Sequence, residues 1–305
     1  MRLRIVIPAF NEEKSIARVL SAIPKTLPRL TEIRVIVVND GSTDDTARIA
    51  ASNGATVITH VERRGLAAAF RTGLKAALDG NADVIVTLDA DGQYRPEEIA
   101  VLLETMRRTN ADLVVGDRQV LRSTHMPPGN RIGNVIGSLM LRIMGVTRVK
   151  DASSGFRLFT SRLGKALRIM SRHTYTHEML IQADAYGFRT AEVPVTFLPR
   201  AHGRSKLVRT LRHHILRSCG TIVRSSFLYR PLRKFLLLSA ACVVIAGLIS
   251  VYAFRDLTFH FNSMMLAILF AVVGIQFLVL GIIAESYAAD RRLAHEQERT
   301  FPGHS

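Results

Sequence analysis

Short runs of apolar and β-branched residues alternate with amphipathic stretches through the first two thirds of the chain. Strand-like runs cover residues 3–8, 33–38, 56–60, 84–88, 113–116 and 191–197. Helical spacing or helix-starting residues mark residues 11–22, 43–53, 66–78 and 178–186, a helix that opens at 96–98, and a helix that ends at 144. This alternation predicts an α/β fold with a mostly parallel sheet covered by helices on both faces.

Polar clusters follow four of the predicted strands at the point where each strand ends. They lie at residues 9–12, 39–42, 89–91 and 117–118. Ligands of open parallel sheets bind beyond the carboxyl ends of the strands, so the four clusters are expected at one edge. A polar surface loop would explain any one cluster, but it explains all four less well.

The stretch TLDADGQ places Asp89 and Asp91 directly after an apolar run. A calcium loop of the EF-hand type needs glycine at its sixth position and glutamate at its twelfth, where this chain has Tyr94 and Ala100. A hard divalent cation that is completed by substrate phosphates fits the pair better. No GxxxxGK[ST] or GxGxxG sequence follows a predicted strand, which disfavours nucleoside triphosphate hydrolysis and hydride transfer.

Two long uncharged segments change the character of the last part of the chain. Residues 235–254 and 264–284 carry no charged side chain, and each is about long enough to cross a bilayer as a helix. The connection between them is short, which predicts a transmembrane helical hairpin. Buried helices of a soluble core are the alternative, but such helices seldom stay uncharged over this length.

The formal net charge of +16 is distributed unevenly along the chain. Ten basic residues and no acidic residue precede the first apolar segment: Arg200, Arg204, Lys206, Arg209, Arg212, Arg217, Arg224, Arg230, Arg233 and Lys234. Basic charge beside a membrane span favours a cytoplasmic, lipid-facing position. Residues 206–226 also keep helical apolar spacing, as in an interfacial helix or a surface helix of the globular domain. Nucleic-acid binding is disfavoured, because no zinc-ligand spacing or RNA-binding aromatic motif accompanies the charge.

Seven motifs in order resemble the family 2 glycosyltransferases: IVIPAFNEE, VVNDGSTDDT, RGLAAAFRTGL, TLDADGQ, GDR, DASSGFRLF and EVPVTFLPRAHGRSKL. The chain is most similar to the polyprenyl-phosphate type, typified by dolichol-phosphate mannosyltransferase and undecaprenyl-phosphate glucosyltransferase. The resemblance covers about residues 3–230. It implies a GT-A fold and the inverting transfer of one sugar, of mannose or glucose type, to a polyprenyl phosphate. The implied donor is a nucleoside diphosphate sugar such as GDP-mannose or UDP-glucose.

The resemblance also implies roles for individual residues. It implies donor binding by Pro8, Phe10, Glu12, Asp40, Asp89, Ala90, Asp91, Arg204 and Lys206, and Mg²⁺ or Mn²⁺ binding by Asp89, Asp91 and Gln93. It implies acceptor-phosphate binding by Arg118, Arg131 and Asn134, and catalytic roles for Asp89, Asp91, Asp151 and Arg118. Similar enzymes usually carry tyrosine at Phe10 and aspartate at Asn39, so a hydroxyl and a carboxylate are missing from the expected nucleoside site.

Asp151 has two possible roles, general base or partner of a sugar hydroxyl or an arginine. We favour the second, because a phosphomonoester acceptor is mostly dianionic at neutral pH and can attack without losing a proton. Glu178 either contacts the sugar or caps a helix.

Three other functions compete with this interpretation. A processive polysaccharide synthase would carry a QxxRW-type motif, and this chain has no tryptophan. A family 2 enzyme that acts on a hydroxyl acceptor and a non-catalytic membrane-anchored nucleotide-sugar-binding subunit remain open alternatives.

The predicted organisation has four parts. A GT-A catalytic domain occupies residues 1–205 and an amphipathic juxtamembrane helix 206–230. A transmembrane hairpin follows at 231–290, with spans at 235–254 and 264–284, and a cytoplasmic tail at 291–305. We therefore expect an integral protein of the cell membrane with its catalytic domain in the cytoplasm.

Overall fold

The computed structural model of the chain describes residues 1–121, 126–171, 174–200, 220, 227, 231–254 and 261–300, with the side chains of 128 and 291–300 left undescribed. The chain divides into two compact units, Met1–Ile222 and Val223–Ser305. The predicted juxtamembrane helix at 206–230 lies outside the described residues apart from 220 and 227. The division of residues 206–305 into three parts therefore stays a prediction.

A seven-stranded sheet forms the centre of the first unit. Its strands are β1 Arg2–Ala9, β2 Glu32–Asn39, β3 Thr56–Thr59, β4 Val84–Thr87, β5 Leu113–Asp117, β6 Arg157–Thr160 and β7 Thr190–Pro194. The spatial order is β3-β2-β1-β4-β6-β5-β7. Strand β6 is antiparallel to both neighbours, and the other pairs are parallel. The parallel strands therefore end at one edge of the sheet, and β6 begins at that same edge.

Helices connect the strands of this unit: α1 Ile16–Ser21, α2 Thr46–Ser52, α3 Leu66–Asp79, α4 Ile99–Thr109, α5 Pro128–Ile143, α6 Ser161–Ala166 and α7 Thr176–Ala185. A short 3-10 turn, Pro96–Glu98, leads into α4. The predicted helix starting at this proline and the helix ending near residue 144 are therefore present.

Both faces of the sheet are buried, as the alternating pattern predicts. On one face, Ile5 and Val86 pack with Ile16 of α1 and Leu102 of α4. On the other face, α3 comes so close that a Cβ at Gly73 would lie 2.3 Å from the Val6 side chain. A larger residue at that position would push the helix off the sheet.

Two local predictions differ from the structure. The first predicted helix begins five residues later than expected, at Ile16, because Asn11 has a left-handed φ of 53° and does not cap it. The Asn11 side chain instead accepts a hydrogen bond from the Thr43 backbone N–H at 2.8 Å. The second difference is strand β6, which the alternating pattern does not predict. Three of its four residues lie inside the motif DASSGFRLF, which carries part of the family resemblance.

In the part of the second unit that the structure describes, two apolar helices stand out, Pro231–Ala253 and Phe261–Thr300. Both have segments long and apolar enough to cross a membrane, with mean hydropathies of 2.5 and 2.8. Only 6% and 17% of these apolar windows are buried, which argues against helices of a soluble core. The second helix continues through residues 291–300, which the sequence assigned to a tail.

Within this unit the two helices approach each other at glycines. A Cβ at Gly281 would lie 2.7 Å from Phe235 Cβ, and one at Gly274 would lie 3.3 Å from Cys242 Cβ. The Leu232 backbone N–H, at the start of the first helix, donates to the Glu285 carboxylate at 3.2 Å. Small residues at a contact between membrane helices permit this close packing.

Candidate functional site

The loop after β4 places Asp89 and Asp91 at the carboxyl edge of the sheet. Asp89 lies against the backbone of the segment before β6, where a Cβ at Gly155 would be 2.8 Å from its carboxylate oxygens. Burial of the carboxyl group, followed by the nearby negative charge of Asp91, raises the pKa of Asp89 to about 7. The two carboxylates therefore repel each other, and a cation between them would relieve that repulsion.

Asp91 is held from two sides. Its Oδ1 accepts the Gln93 backbone N–H at 3.1 Å, and its Oδ2 accepts a hydrogen bond from Arg200 Nη2 at 2.7 Å. The side-chain nitrogen of Gln93 donates a hydrogen bond to the Leu198 carbonyl at 3.1 Å, which fixes the orientation of the side chain. Its amide oxygen is the atom that could ligate a metal. Among the described residues, no three His, Cys, Asp or Glu side chains converge as a metal site. The residues fit a cation held by two carboxylates and completed by ligand oxygens.

Arg118 and Asp151 form a buried fork at the same edge. Arg118 follows β5, and its Nε and Nη2 donate to Asp151 Oδ2 and Oδ1 at 2.7 and 2.8 Å. Burial alone would raise the pKa of Asp151, but the charge and hydrogen bonds of Arg118 outweigh it and hold that pKa below its usual range. Asp151 therefore has an arginine partner, as one of its two predicted roles requires.

Hydrogen bonds from backbone N–H groups hold the segment that carries Asp151 in place. The Ala152 backbone N–H donates to Ser138 Oγ of α5 at 3.0 Å. The Lys150 and Asp151 backbone N–H groups donate to Glu192 at 2.8 and 3.0 Å. The Gly155 backbone N–H donates to the buried Tyr94 hydroxyl at 3.1 Å. The backbone of this segment is therefore anchored to α5, to β7 and to the loop that carries the carboxylates.

Asp40, predicted to contact a nucleoside, has its carboxylate inside the protein. It accepts hydrogen bonds from His60 Nδ1 at 2.8 Å and from the Arg64 and Gly65 backbone N–H groups at 2.9 and 2.8 Å. These contacts order the loop before α3. They bring Arg63 over the Phe10 ring, with 4.3 Å from guanidinium carbon to ring centroid.

The first residues of the predicted donor site lie together where β1 ends. Pro8 is in β1, and Glu12 accepts a hydrogen bond from Ser15 at 2.9 Å and lies 3.5 Å from Arg200. Ala90 is buried between the two aspartates. Arg204 and Lys206 lie outside the described residues.

The predicted acceptor residues Arg131 and Asn134 belong to the first turns of α5. Both are partly buried, and the Asn134 amide donates to the Met126 sulfur at 3.3 Å. The outer face of α5 carries an exposed apolar stripe, Ile132, Ile136, Leu139 and Ile143, with 57%, 37%, 44% and 77% of each residue exposed. The opposite face holds the Asp151 segment through Ser138.

Sequence reasoning missed three residues of this edge. Arg200 was counted only among the basic residues near the membrane, yet it contacts Asp91. Arg157 is fully buried and donates to the carbonyls of Ala152, Ser154 and Thr176. Glu192 lies on a strand with no other acidic residue, and this isolated charge was a signal that could have been used.

Glu178 was predicted either to contact the sugar or to cap a helix. Its carboxylate accepts hydrogen bonds from the Met170 and Ser171 backbone N–H groups, both at 3.0 Å. The residue is almost completely buried and stabilises the turn before α7.

Comparison with known proteins places this geometry in a family. The model of the glycosyl transferase family 2 matches residues 4–163. Undecaprenyl-phosphate mannosyltransferase of Micrococcus luteus is 31% identical over 218 residues, which cover 68% of this chain and 88% of the relative. UDP-N-acetylglucosamine–dolichyl-phosphate N-acetylglucosaminyltransferase of Methanococcus voltae is 31% identical over 63% of this chain and 83% of its own.

Solved structures support the same fold. Glucosyl-3-phosphoglycerate synthase of Mycobacterium tuberculosis, in complex with Mn²⁺, UDP and glucosyl-3-phosphoglycerate, has a TM-score of 0.57 at 23% identity. The likeness covers 74% of this chain and 78% of that one, and it shows a GT-A-type fold. The family model spans the carboxylate loop, the Arg118–Asp151 fork and six of the seven strands. The chain belongs to the glycosyl transferase family 2 and is a glycosyltransferase.

Proposed function

We propose that the protein transfers one sugar, with inversion, from a nucleoside diphosphate sugar to a polyprenyl phosphate at the cytoplasmic face of the cell membrane. Its two relatives named above act on undecaprenyl phosphate and dolichyl phosphate according to their names. The transferred sugar is of mannose or glucose type, and the donor is a nucleoside diphosphate sugar such as GDP-mannose or UDP-glucose.

The observation that carries the acceptor proposal is the placement of α5. One face of this helix is bonded through Ser138 to the segment of Asp151, and the other exposes four large apolar side chains in one stripe. An apolar stripe of this kind on a soluble surface marks contact with a lipid or a partner. Arg131 lies on the same helix, so one element offers both a cation for a phosphate and an apolar surface for its lipid chain.

Asp89 and Asp91 would hold Mg²⁺ or Mn²⁺, with the amide oxygen of Gln93 in support. The raised pKa of Asp89 and its closeness to Asp91 support a cation at this place. Such a cation, when bound, stabilises the negative charge of a departing diphosphate. The donor would lie between these carboxylates and the cluster of Pro8, Phe10 and Glu12.

Arg118 and Asp151 would position the acceptor rather than exchange protons with it. Arg118 has two nitrogens on Asp151, and Nη1 lies outside that fork, so it can meet a phosphate oxygen while the fork fixes its direction. The dianionic phosphate acts as its own nucleophile and attacks the anomeric carbon in line with the leaving nucleoside diphosphate.

The test is a panel of nucleotide sugars incubated with the full-length protein and Mn²⁺ or Mg²⁺. Each donor is offered a short polyprenyl phosphate, the matching unphosphorylated polyprenol and 3-phosphoglycerate, with product detection by mass spectrometry. We expect a glycosylated polyprenyl phosphate with one donor class. Product only from polyprenol or phosphoglycerate would replace the proposal with a hydroxyl acceptor, and binding of donor without any product would favour a non-catalytic subunit.

The Arg131→Ala variant adds a residue-level arm to this panel. Loss of a charge-assisted contact costs about 1.5 to 3 kcal/mol, so kcat/KM for polyprenyl phosphate should fall roughly ten- to a hundredfold. Donor affinity should change less. An equal loss of donor affinity would assign Arg131 to the donor instead.

A further inference from the structure

Arg200 brings a guanidinium group against Asp91 of the proposed metal site and Glu12 of the predicted donor site. Its Nη2 lies 2.7 Å from Asp91 Oδ2 and 3.5 Å from Glu12 Oε1. The shorter distance is typical of a charge-assisted hydrogen bond. Because Asp91 Oδ1 accepts the Gln93 backbone N–H, both oxygens of Asp91 already have a positively polarised partner.

The backbone that leads to Arg200 is fixed to the loop that carries the carboxylates. The Leu198 backbone N–H donates to the Gln93 carbonyl at 2.7 Å, and the Gln93 side chain donates back to the Leu198 carbonyl at 3.1 Å. Two residues earlier, the Thr196 backbone N–H donates to the Glu98 carboxylate at 2.9 Å. These hydrogen bonds fix the position of residues 196–198, and the segment leads directly to Arg200 beside Asp91.

The surroundings of Arg200 differ from those of a basic residue that faces a membrane or solvent. Only 19% of its side chain is exposed, and 13% of each of its two carboxylate partners. A guanidinium stays protonated at neutral pH, and the contacts with Asp91 and Glu12 hold this one in place. The guanidinium is thus a fixed positive charge inside the proposed cation site.

We propose that Arg200 competes with the metal for Asp91 in the free protein and moves to the diphosphate when the donor binds. This inference rests on the proposed function, since it assumes a divalent cation at Asp89 and Asp91. A cation bound to Asp91 places two further positive charges beside the guanidinium, which weakens metal binding. The diphosphate of a donor supplies anionic oxygens for both cations, so the repulsion disappears when all three are present.

The consequence is a coupling between metal and donor. The free protein binds the metal weakly, and donor and metal each raise the affinity for the other by the same factor. Without the arginine, the metal should bind tightly by itself and gain little from the donor. Arg200 would in this way restrict metal binding to the moment when a donor is present.

The first experiment measures Mn²⁺ binding alone by isothermal titration calorimetry of the full-length protein in detergent. We expect Arg200→Gln to tighten the Kd about tenfold relative to the wild type, which corresponds to about 1.4 kcal/mol. Arg200→Lys keeps the charge and should stay close to the wild type. Arg48→Gln is the matched control, because it removes an arginine from an exposed ion pair with Asp45 and should leave the Kd unchanged.

The second experiment repeats the Mn²⁺ titration with saturating GDP and with saturating UDP. We expect the better nucleotide to tighten Mn²⁺ binding more in the wild type than in Arg200→Gln. A Kd for Mn²⁺ alone that is equal or weaker in Arg200→Gln overturns the inference but leaves the metal site standing. If neither protein binds Mn²⁺ with or without nucleotide, the metal part of the proposed function fails, and the inference fails with it.

Discussion

Arg157 shows how a charged residue can organise the site without facing the substrate. It is fully buried, and its three described hydrogen bonds, at 2.8, 2.6 and 2.6 Å, go to the carbonyls of Ser154, Thr176 and Ala152. Burial lowers the pKa of Arg157 to about 10, and the negative charge of Asp151 opposes that shift. The residue joins the Asp151 segment to the start of α7, and therefore fixes the backbone on which Asp151 and Gly155 stand.

The close contact between the Gly155 backbone and the Asp89 carboxylate predicts the effect of adding a methyl group at residue 155. In Gly155→Ala, the new Cβ would lie 2.8 Å from both carboxylate oxygens of Asp89, and the backbone of residue 155 is bonded to Thr87 and Tyr94 and cannot retreat. The Asp89 carboxylate must therefore move. We expect turnover to fall about a hundredfold, as for an approximately 1 Å misplacement of a reacting group.

The control for this change is Gly164→Ala, whose Cβ would meet only the ends of apolar side chains at 3.2 Å and beyond. Steady-state kinetics and thermal unfolding of both variants separate a site effect from a stability effect. Full activity in Gly155→Ala would show that the position of Asp89 against the backbone does not matter for turnover.

The lowered pKa of Asp151 predicts how this residue responds to pH. A carboxylate whose pKa is lower in the folded state adds stability above its unfolded pKa of about 3.9, and this stability is lost as pH falls through the folded pKa. The Tm difference between wild type and Asp151→Asn should therefore be constant from about pH 5 to 8 and shrink in stronger acid.

The activity of Asp151→Asn provides the second readout. We expect a lower rate at every pH and an unchanged profile shape, because the acceptor phosphate supplies its own nucleophile. In Asp151→Asn, the buried Arg118 loses its charged partner. The double variant Arg118→Gln/Asp151→Asn also removes this buried positive charge, so it should recover part of the stability that the single variant loses. If the wild-type profile has an acidic limb at or below about pH 4 that the single variant lacks, Asp151 acts as a general base.

At the scale of elements, the edge of the sheet was predictable and one strand was not. Parallel strands ending in polar clusters fixed the positions of Asp89, Asp91 and Arg118, because strand direction follows from the alternation of strands and helices. Strand β6 is antiparallel to its two neighbours, so it begins at this edge of the sheet. The Asp151 segment, which precedes β6, therefore lies at the same edge. No local pattern reveals a four-residue strand whose direction depends on its two neighbours.

The side-chain partners within the site were also beyond sequence reasoning. The contacts of Arg200 with Asp91 and of Asp40 with His60 join positions 109 and 20 residues apart. Composition and spacing identified the charged residues but not which charges would meet. The resemblance to a family supplied roles for residues. Only the folded chain shows that the Asp40 carboxylate accepts hydrogen bonds from His60 and from the loop before α3.

Helix α5 carries a prediction about the lipid part of the acceptor. Ile136 lies in the middle of its exposed stripe, and Ile136→Gln would remove apolar contact without disturbing the buried face of the helix. Partial burial of such a side chain is worth about 1 kcal/mol or more, so kcat/KM for a long polyprenyl phosphate should fall roughly five- to tenfold. A short water-soluble phosphate monoester should lose little.

The control is Val101→Gln, which changes an apolar residue of similar exposure, 42%, on helix α4. Acceptors of increasing chain length are compared by kcat/KM in wild type and both variants. A loss in Ile136→Gln that is the same for short and long acceptors would remove the stripe from the lipid-binding surface.

At the scale of the whole molecule, charge predicts which side of the membrane the chain ends occupy. Basic residues flank the uncharged segments 235–254 and 264–284 on their outer sides, at Arg230, Arg233 and Lys234 and at Arg291 and Arg292. The connection between the helices carries only Arg255, balanced by Asp256. Short loops rich in lysine and arginine are typically retained in the cytoplasm, so we predict that the first unit lies on the cytoplasmic side, where nucleotide sugars are available.

Single cysteines test this orientation in intact cells. In a background with Cys219→Ser and Cys242→Ser, a membrane-impermeant maleimide should label Asn262→Cys and should not label Gln297→Cys. Permeabilisation should then expose Gln297→Cys, which controls for a cysteine that is merely buried. Because a hairpin returns the chain to its starting side, the opposite pattern would place both the catalytic unit and the sugar donor outside the cytoplasm and would contradict the proposed membrane face. Labelling of both cysteines from outside would show that the two helices do not form a hairpin across the bilayer.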